Sequence, residues 1–236
     1  GRAQIAVGTH ALFQDEVEYK NLALAVIDEQ HRFGVHQRLS LAAKGDAVDT
    51  LVMTATPIPR TLMLTAYGDM DTSRLMEKPP GRKPVDTRVL PVERLEQIVD
   101  ACNRALNAGD RVFWVCPLIE ESEKLDVAAA EDRQAALASR FGDRVGLVHG
   151  RMKGPEKDKA MAAFVDGNVD ILVATTVIEV GVDVPAATVM VIEHSERFGL
   201  AQLHQLRGRI GRGDKPATCL LMYGSPLTET ARSRLS

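Results

Sequence analysis

Three arginines in the stretch Gln205-Leu206-Arg207-Gly208-Arg209-Ile210-Gly211-Arg212-Gly213 are interleaved with glycines. A guanidinium stays charged at physiological pH and offers a planar fork of donors that matches phosphate oxygens. Glycine lets the backbone that carries those forks approach another surface closely. Ala201 to Leu206 read as a helical start leading into the turn, so the stretch is a candidate clamp for a phosphate chain; a solvated basic turn satisfies the same residues. A second chemistry-bearing stretch, Asp28-Glu29-Gln30-His31, follows the apolar run Leu22-Ala23-Leu24-Ala25-Val26-Ile27. That run predicts a strand buried on both faces. In an open parallel α/β sheet, ligands bind beyond the carboxyl ends of the strands. Two carboxylates there suit magnesium, a hard cation that takes one or two carboxylates plus phosphate oxygens. Glu29 could orient or deprotonate a water. Acid pair and arginine turn together point to a nucleoside-triphosphate site closed from two sides.

The elements that must position these groups fit a chain of 236 residues, long enough for one large domain or two smaller ones. A net charge of −3 argues against coating nucleic acid by bulk electrostatics, so any such contact must be local. Cys102, Cys116 and Cys219 lie far apart without C-x-x-C spacing and read as buried thiols of a reducing compartment. The histidines show no metal-binding spacing, and the longest apolar runs are strand-sized, which predicts no membrane span. The opening residues do not resemble a signal peptide, and the expected location is cytoplasmic.

Along the chain, Ile5 to Val7 read as a short strand and Ala11 to Val17 as a helix starting near Thr9. Exposed backbone N–H groups at Gly8-Thr9-His10 suit a phosphate contact, and a plain turn suits them equally. A helix is expected over Arg32 to Ala43, a strand over Asp49 to Met53, and a helix over Thr61 to Tyr67. Lys78-Pro79-Pro80-Gly81-Arg82-Lys83-Pro84 mixes proline, glycine and charge and reads as a linker. Beyond it come a helix from Leu95 to Leu106 ending near Gly109, then strands at Val112–Cys116, Val145–Val148, Ile171–Ala174, Val189–Ile192 and Cys219–Tyr223. Helices are expected over Ala128 to Arg140 and from Pro155 to Gly167. Such alternation calls for α/β architecture with mostly parallel sheets covered by helices.

Asp28-Glu29-Gln30-His31, Thr54-Ala55-Thr56, Thr175-Thr176 through Gly181-Val182-Asp183, and Gln205 to Arg212 resemble motifs II, III, V and VI of superfamily 2 helicases, in the right order. Asp28 through Val35 (DEQHRFGV), Thr54 through Thr61 (TATPIPRT), Val115 through Glu123 (VCPLIEESE) and Leu203 through Arg209 (LHQLRGR) are similar to the bacterial members that remodel stalled forks and Holliday junctions in recombination and repair. The resemblance implies two RecA-like lobes, the first incomplete. Residues 1–80 would be the later part of lobe one, and residues 81–236 lobe two. It implies ATP and Mg2+ as cofactors, branched double-stranded DNA as partner, and single-strand-binding protein as a further partner. Asp28 would hold magnesium through its water shell and Glu29 would polarise the attacking water. His31 would link the nucleotide to DNA movement, together with Thr54 and Thr56, which count among the cofactor-binding residues. Gly181 and Asp183 would approach the ribose and metal. Arg209 and Arg212 would act as arginine fingers on the γ-phosphate, with Gln205 helping to place them. Gly8, Thr9, His10, His149, Gly150, Arg151, Thr175 and Thr176 would hold DNA phosphates, contacts that carry no sequence information.

The chain departs from the family's pattern in two respects. It contains no G-x-x-x-x-G-K-S/T phosphate loop and no upstream wedge domain, so it reads as a fragment that would not hydrolyse ATP alone. A transcription-repair coupling translocase, which shares the TATPIPRT and HQLRGR strings, is the nearest alternative, and a non-catalytic helicase-like binding module is another. DEQHRFGV and LIEESE favour the branched-DNA helicases. The acid pair and both arginines favour an enzyme.

Overall fold

The computed structural model describes residues 3–28, 44–45, 47–54, 71–77, 81–117, 123–175 and 184–235. The chain divides into two units, Gly1–Thr72 and Ser73–Ser236. In the first, β1 (Leu24–Ile27) and β2 (Asp49–Val52) pair in parallel, with Val26 opposite Leu51 and Ile27 opposite Val52. Side chains alternate across a pleat. Ala25 and Ile27 accordingly pack with Phe13, Leu22 and Val48 on one face. On the other face Leu24 and Val26 are 56% and 53% exposed, so the expectation of burial on both faces is corrected here to one face. The expected helix from Ala11 shrinks to a 3-10 turn, His10–Phe13: the Thr9 hydroxyl accepts no capping hydrogen bond, and Gln14 is already extended. Residues 5–7 pair with no strand, and Ile5 and Val7 are 82% and 93% exposed. The helices expected over Arg32 to Ala43 and Thr61 to Tyr67 fall outside the described residues.

The second unit is built on six parallel strands: β3 (Val85–Pro91), β4 (Arg111–Val115), β5 (Val145–Val148), β6 (Ile171–Ala174), β7 (Ala187–Ile192) and β8 (Ala217–Tyr223). Their order is β3-β8-β7-β4-β6-β5. Five helices accompany them among the described residues: α1 (Leu95–Asn107), α2 (Glu123–Phe141), α3 (Gly154–Asp166), α4 (Leu200–Arg207) and α5 (Glu229–Leu235). Apolar strands alternate their side chains into two cores. Phe113, Leu172, Met190 and Leu221 meet Phe164 of α3 and Leu203 and Leu206 of α4 on one face. Trp114, Val173, Val191 and Met222 meet Ile98, Val99 and Leu106 of α1 and Leu137 of α2 on the other. Helices on both faces are what a parallel sheet requires, because its crossovers return over the sheet. Each fully buried large side chain contributes roughly 1.5–3 kcal/mol.

Residues 81–84, read from sequence as linker, belong to this second unit. They lead directly into β3, which pairs with β8 from Val85 opposite Ala217 to Pro91 opposite Tyr223. At the far side, Arg111 donates from Nη1 to Phe164 O at 2.8 Å and Val165 O at 2.7 Å, satisfying carbonyls that the end of α3 leaves open. Gly167 ends that helix in the left-handed region (φ 83°), a conformation glycine adopts without steric cost. Among the described residues, no helix is long and apolar enough to cross a membrane.

Candidate functional site

The first unit brings two expected residues to one sheet edge. Asp28 directly follows β1, and Thr54 lies two residues beyond β2; both are exposed. The parallel ladder continues to this edge, where Met53 N–H donates to Ile27 O at 2.8 Å. A carboxylate and a hydroxyl on neighbouring strand ends are hard oxygen donors, the chemistry magnesium takes, so this edge fits the ion. Gly8 and Thr9 are exposed ahead of the 3-10 turn, where Thr9 O accepts Leu12 N–H at 3.0 Å, and His10 begins that turn. Glu29, His31, Thr56, Thr176, Gly181 and Asp183 lie outside the described residues.

The second unit separates its expected residues into two groups. His149 follows β5 and Thr175 follows β6, so both stand at the carboxyl edge of neighbouring strands. Thr175 is 1% exposed, and among the described residues neither its Oγ1 nor the buried His149 Nδ1 has a hydrogen-bond partner. A buried polar atom left unpaired costs about 1–3 kcal/mol, so two on adjacent strand ends mark a place where a ligand would complete the bonding. Thr188 Oγ1 is also unpartnered, but it sits at the irregularity where β7 pairs with β4, away from that edge. Gly150 and Arg151 are exposed in the turn beyond His149, with Gly150 O accepting Lys157 Nζ at 2.8 Å.

The arginine turn lies at the opposite, amino edge. Helix α4 ends at Arg207, and the chain then passes through Gly208 to Gly213 before entering β8. Gly211 takes φ 67°, and a Cβ there would come within 3.0 Å of Ala217 Cβ and 3.3 Å of Val85 Cγ2. The turn therefore packs on the first residues of β8 and β3, and only glycine fits both the space and the dihedral. Ile210 is fully buried and anchors the turn, whereas Arg209 is half-buried and Arg212 exposed. Arg212 Nε donates to Gly208 O at a long 3.4 Å, and Arg207 Nη2 meets His204 Nδ1 at 3.1 Å. Gln205 is half-buried one turn earlier on α4. The turn can present fixed cations to an anion without moving its backbone.

Sequence reasoning missed two features of this unit. Arg82 donates from Nη2 to Gly208 O at 3.0 Å. Glu193, just past β7, accepts from Trp114 Nε1 and from Arg133. Both join residues distant in sequence, and no local spacing signals either.

Residues 92–214 match the helicase conserved C-terminal domain. Over its whole length the chain is 55% identical to the ATP-dependent DNA helicase RecG of Acidithiobacillus ferridurans, covering 34% of that protein. It is also 55% identical to RecG of Escherichia coli strain K12, covering 35%. The structure of RecG bound to a three-way DNA junction superposes with a TM-score of 0.74 at 49% identity, covering 97% of this chain and 29% of that one. The chain thus spans about a third of the length of these curated relatives. The six-stranded parallel sheet flanked by helices is the RecA-like lobe expected from the motifs. By its domain match over residues 92–214, its six-stranded parallel sheet and its 55% identity to RecG over its whole length, the chain belongs to the family of helicase conserved C-terminal domains.

Proposed function

We propose that this chain is part of the motor of an ATP-dependent DNA helicase that remodels branched DNA, including stalled forks and Holliday junctions. The observation that carries the reading is 55% identity over the whole chain to RecG, a protein whose solved structure is bound to a three-way DNA junction. The arginine turn and the Asp28–Thr54 edge supply the groups such a motor needs. A place in the cytoplasm and contact with single-strand-binding protein follow from the resemblance alone.

ATP with Mg2+, when bound, supplies the phosphoryl transfer that drives movement. Asp28 would hold the ion through its water shell at the carboxyl end of β1, and Glu29 would orient the attacking water. Gly181 and Asp183 approach the ribose. Arg209 and Arg212 would meet the charge that develops on the γ-phosphate, with Gln205 helping to place them. A fixed guanidinium in this role contributes about 10³ to 10⁵ in rate. It acts on the transition state more than on binding, because the charge it meets grows as the bond breaks. His31, Thr54 and Thr56 would link the nucleotide to DNA movement. Gly8, Thr9, His10, His149, Gly150, Arg151, Thr175 and Thr176 take backbone phosphates, which lets the motor track any sequence. The unpartnered hydroxyl of Thr175 and ring nitrogen of His149 support a polar ligand at that edge.

The test is DNA-stimulated ATP hydrolysis by the full-length protein carrying Arg209→Ala or Arg212→Ala. Turnover is expected to fall by about two orders of magnitude or more, with ATP affinity far less changed. Lysine is not expected to rescue, since a point charge cannot reproduce the planar fork. Near-normal turnover in both alanine variants would overturn the reading.

A further inference from the structure

Gly208 O is the meeting point of two guanidiniums. Arg82 reaches it from the segment ahead of β3, with Nη2 donating at 3.0 Å in a partly buried contact. Arg212 reaches it from within the turn, with Nε at 3.4 Å. Gly208 N–H is already committed to His204 O at 3.1 Å and Arg209 N–H to Leu206 O at 2.9 Å, so the peptide between them is held on its carbonyl side by these arginines. The lead-in segment runs alongside the turn at further points. Gly81 takes φ 84°, and a Cβ there would lie 3.2 Å from Asp214 Oδ1. Val85 pairs with Ala217 and lies against Gly211.

We propose that Arg82 is a positioning residue for the arginine turn: by fixing the Gly208 carbonyl it sets the direction from which Arg209 and Arg212 leave the backbone. Three glycines at 208, 211 and 213 give this turn more conformational freedom in the unfolded chain than residues with side chains would, so its order depends on the contacts made to it. The helix, buried Ile210 and β8 supply much of that order; Arg82 supplies it at the Gly208 carbonyl, ahead of Arg209. The shorter Arg82 bond has a second consequence. When Arg212 turns from Gly208 O toward an anion, the carbonyl keeps a charged donor, so Arg212 leaves without exposing an unpaired acceptor. The inference rests on the proposed role of Arg209 and Arg212 toward the nucleotide.

The experiment uses the full-length protein with Arg82→Met, Arg82→Lys, Arg212→Ala and the Arg82→Met/Arg212→Ala double variant. kcat and KM for ATP are measured with junction DNA, below the melting temperature of each variant found by calorimetry. Small misplacement of a catalytic group is costly, so Arg82→Met is expected to lower kcat on the order of tenfold or more, with KM within about twofold. Arg82→Lys is expected to recover most of the loss, because one ammonium N–H suffices for one carbonyl. In the Arg212→Ala background, Arg82→Met is expected to add less than its full single effect, since groups acting as one unit are not additive. Three results would overturn the inference while leaving the proposed function standing: unchanged kcat in Arg82→Met beside an impaired Arg212→Ala, failure of lysine to rescue, or full multiplication of the two effects. Normal turnover in Arg212→Ala and Arg209→Ala together would instead defeat the functional reading on which the inference rests.

Discussion

Replacing Arg133 by methionine should weaken the second unit more than any surface change of equal size. Glu193 is 9% exposed, and it accepts from Trp114 Nε1 at 2.5 Å, Arg133 Nε at 2.5 Å and Arg133 Nη2 at 3.1 Å. Arg133 also lies 5.8 Å from the Trp114 ring centre. Burial works against the charge on Arg133, yet its hydrogen bond and attraction to Glu193 prevail and its pKa is raised. Methionine keeps the apolar stem and removes both Arg133 donors, leaving a carboxylate whose side chain is 12% exposed. Removing one partner of a buried pair costs about 3–5 kcal/mol. Arg133 is itself 24% exposed, which admits some water and places the expected loss at the lower end. For a unit of this size about 3 kcal/mol corresponds to a fall in Tm of roughly 6–12 °C. Trp114 is the chain's single tryptophan, so its fluorescence during urea or thermal unfolding reports this unit directly. Arg133→Met/Glu193→Leu removes both charges and should recover much of the loss, leaving mainly the Trp114 N–H unpaired at about 1–3 kcal/mol. A loss under about 1 kcal/mol, or a double variant no better than the single one, would refute the reasoning.

Thr175→Val exchanges an unpartnered buried hydroxyl for a methyl; it should leave the fold unchanged or stabilise it by up to about 1 kcal/mol while weakening junction binding, read by urea unfolding and fluorescence anisotropy. Gly167→Ala places a Cβ 2.5 Å from Arg111 Nη2 at φ 83°; it should cost about 2 kcal/mol or more in the same unfolding assay, since the left-handed region alone costs about 1–2. Burial pushes the thiols of Cys102, Cys116 and Cys219 up to about 12 from an ordinary 9.0. The folded chain therefore holds more thiol protons than the unfolded one between those values, and the stability they contribute is present below pH 9 and lost as pH rises through that window. At pH 8 a thiol reagent should label the native protein slowly and all three cysteines on unfolding.

Strands β5 and β6 carry the boundaries expected from their sequence because each is a short apolar run closed by polar residues, although β5 lies at the sheet edge. Strand β3 was not legible: VDTRVLP follows a proline-rich segment, carries two charges, and lies at the sheet edge with its middle residues exposed, so burial leaves little mark on it. Helix α5 escaped for the same reason, with Ala231 its single buried residue. Helix α2 begins at Glu123, earlier than its alanine run suggests. The arginine-glycine turn and the acid following β1 stood out from types and spacing, because both signals are local. Their supports did not. Arg82 meets Gly208, and Arg133 and Trp114 meet Glu193, only once strand order has brought distant segments together.

The full-length protein to which this chain contributes is proposed to work on branched DNA by ATP hydrolysis. The most direct test gives the full-length protein a fluorescent three-way junction, Mg2+ and ATP, with no RNA polymerase present. The account predicts strand displacement that stops with a non-hydrolysable ATP analogue and is lost in Arg209→Ala although the junction is still bound. Junction binding without displacement by the unsubstituted protein, or displacement equally fast in Arg209→Ala, would contradict it.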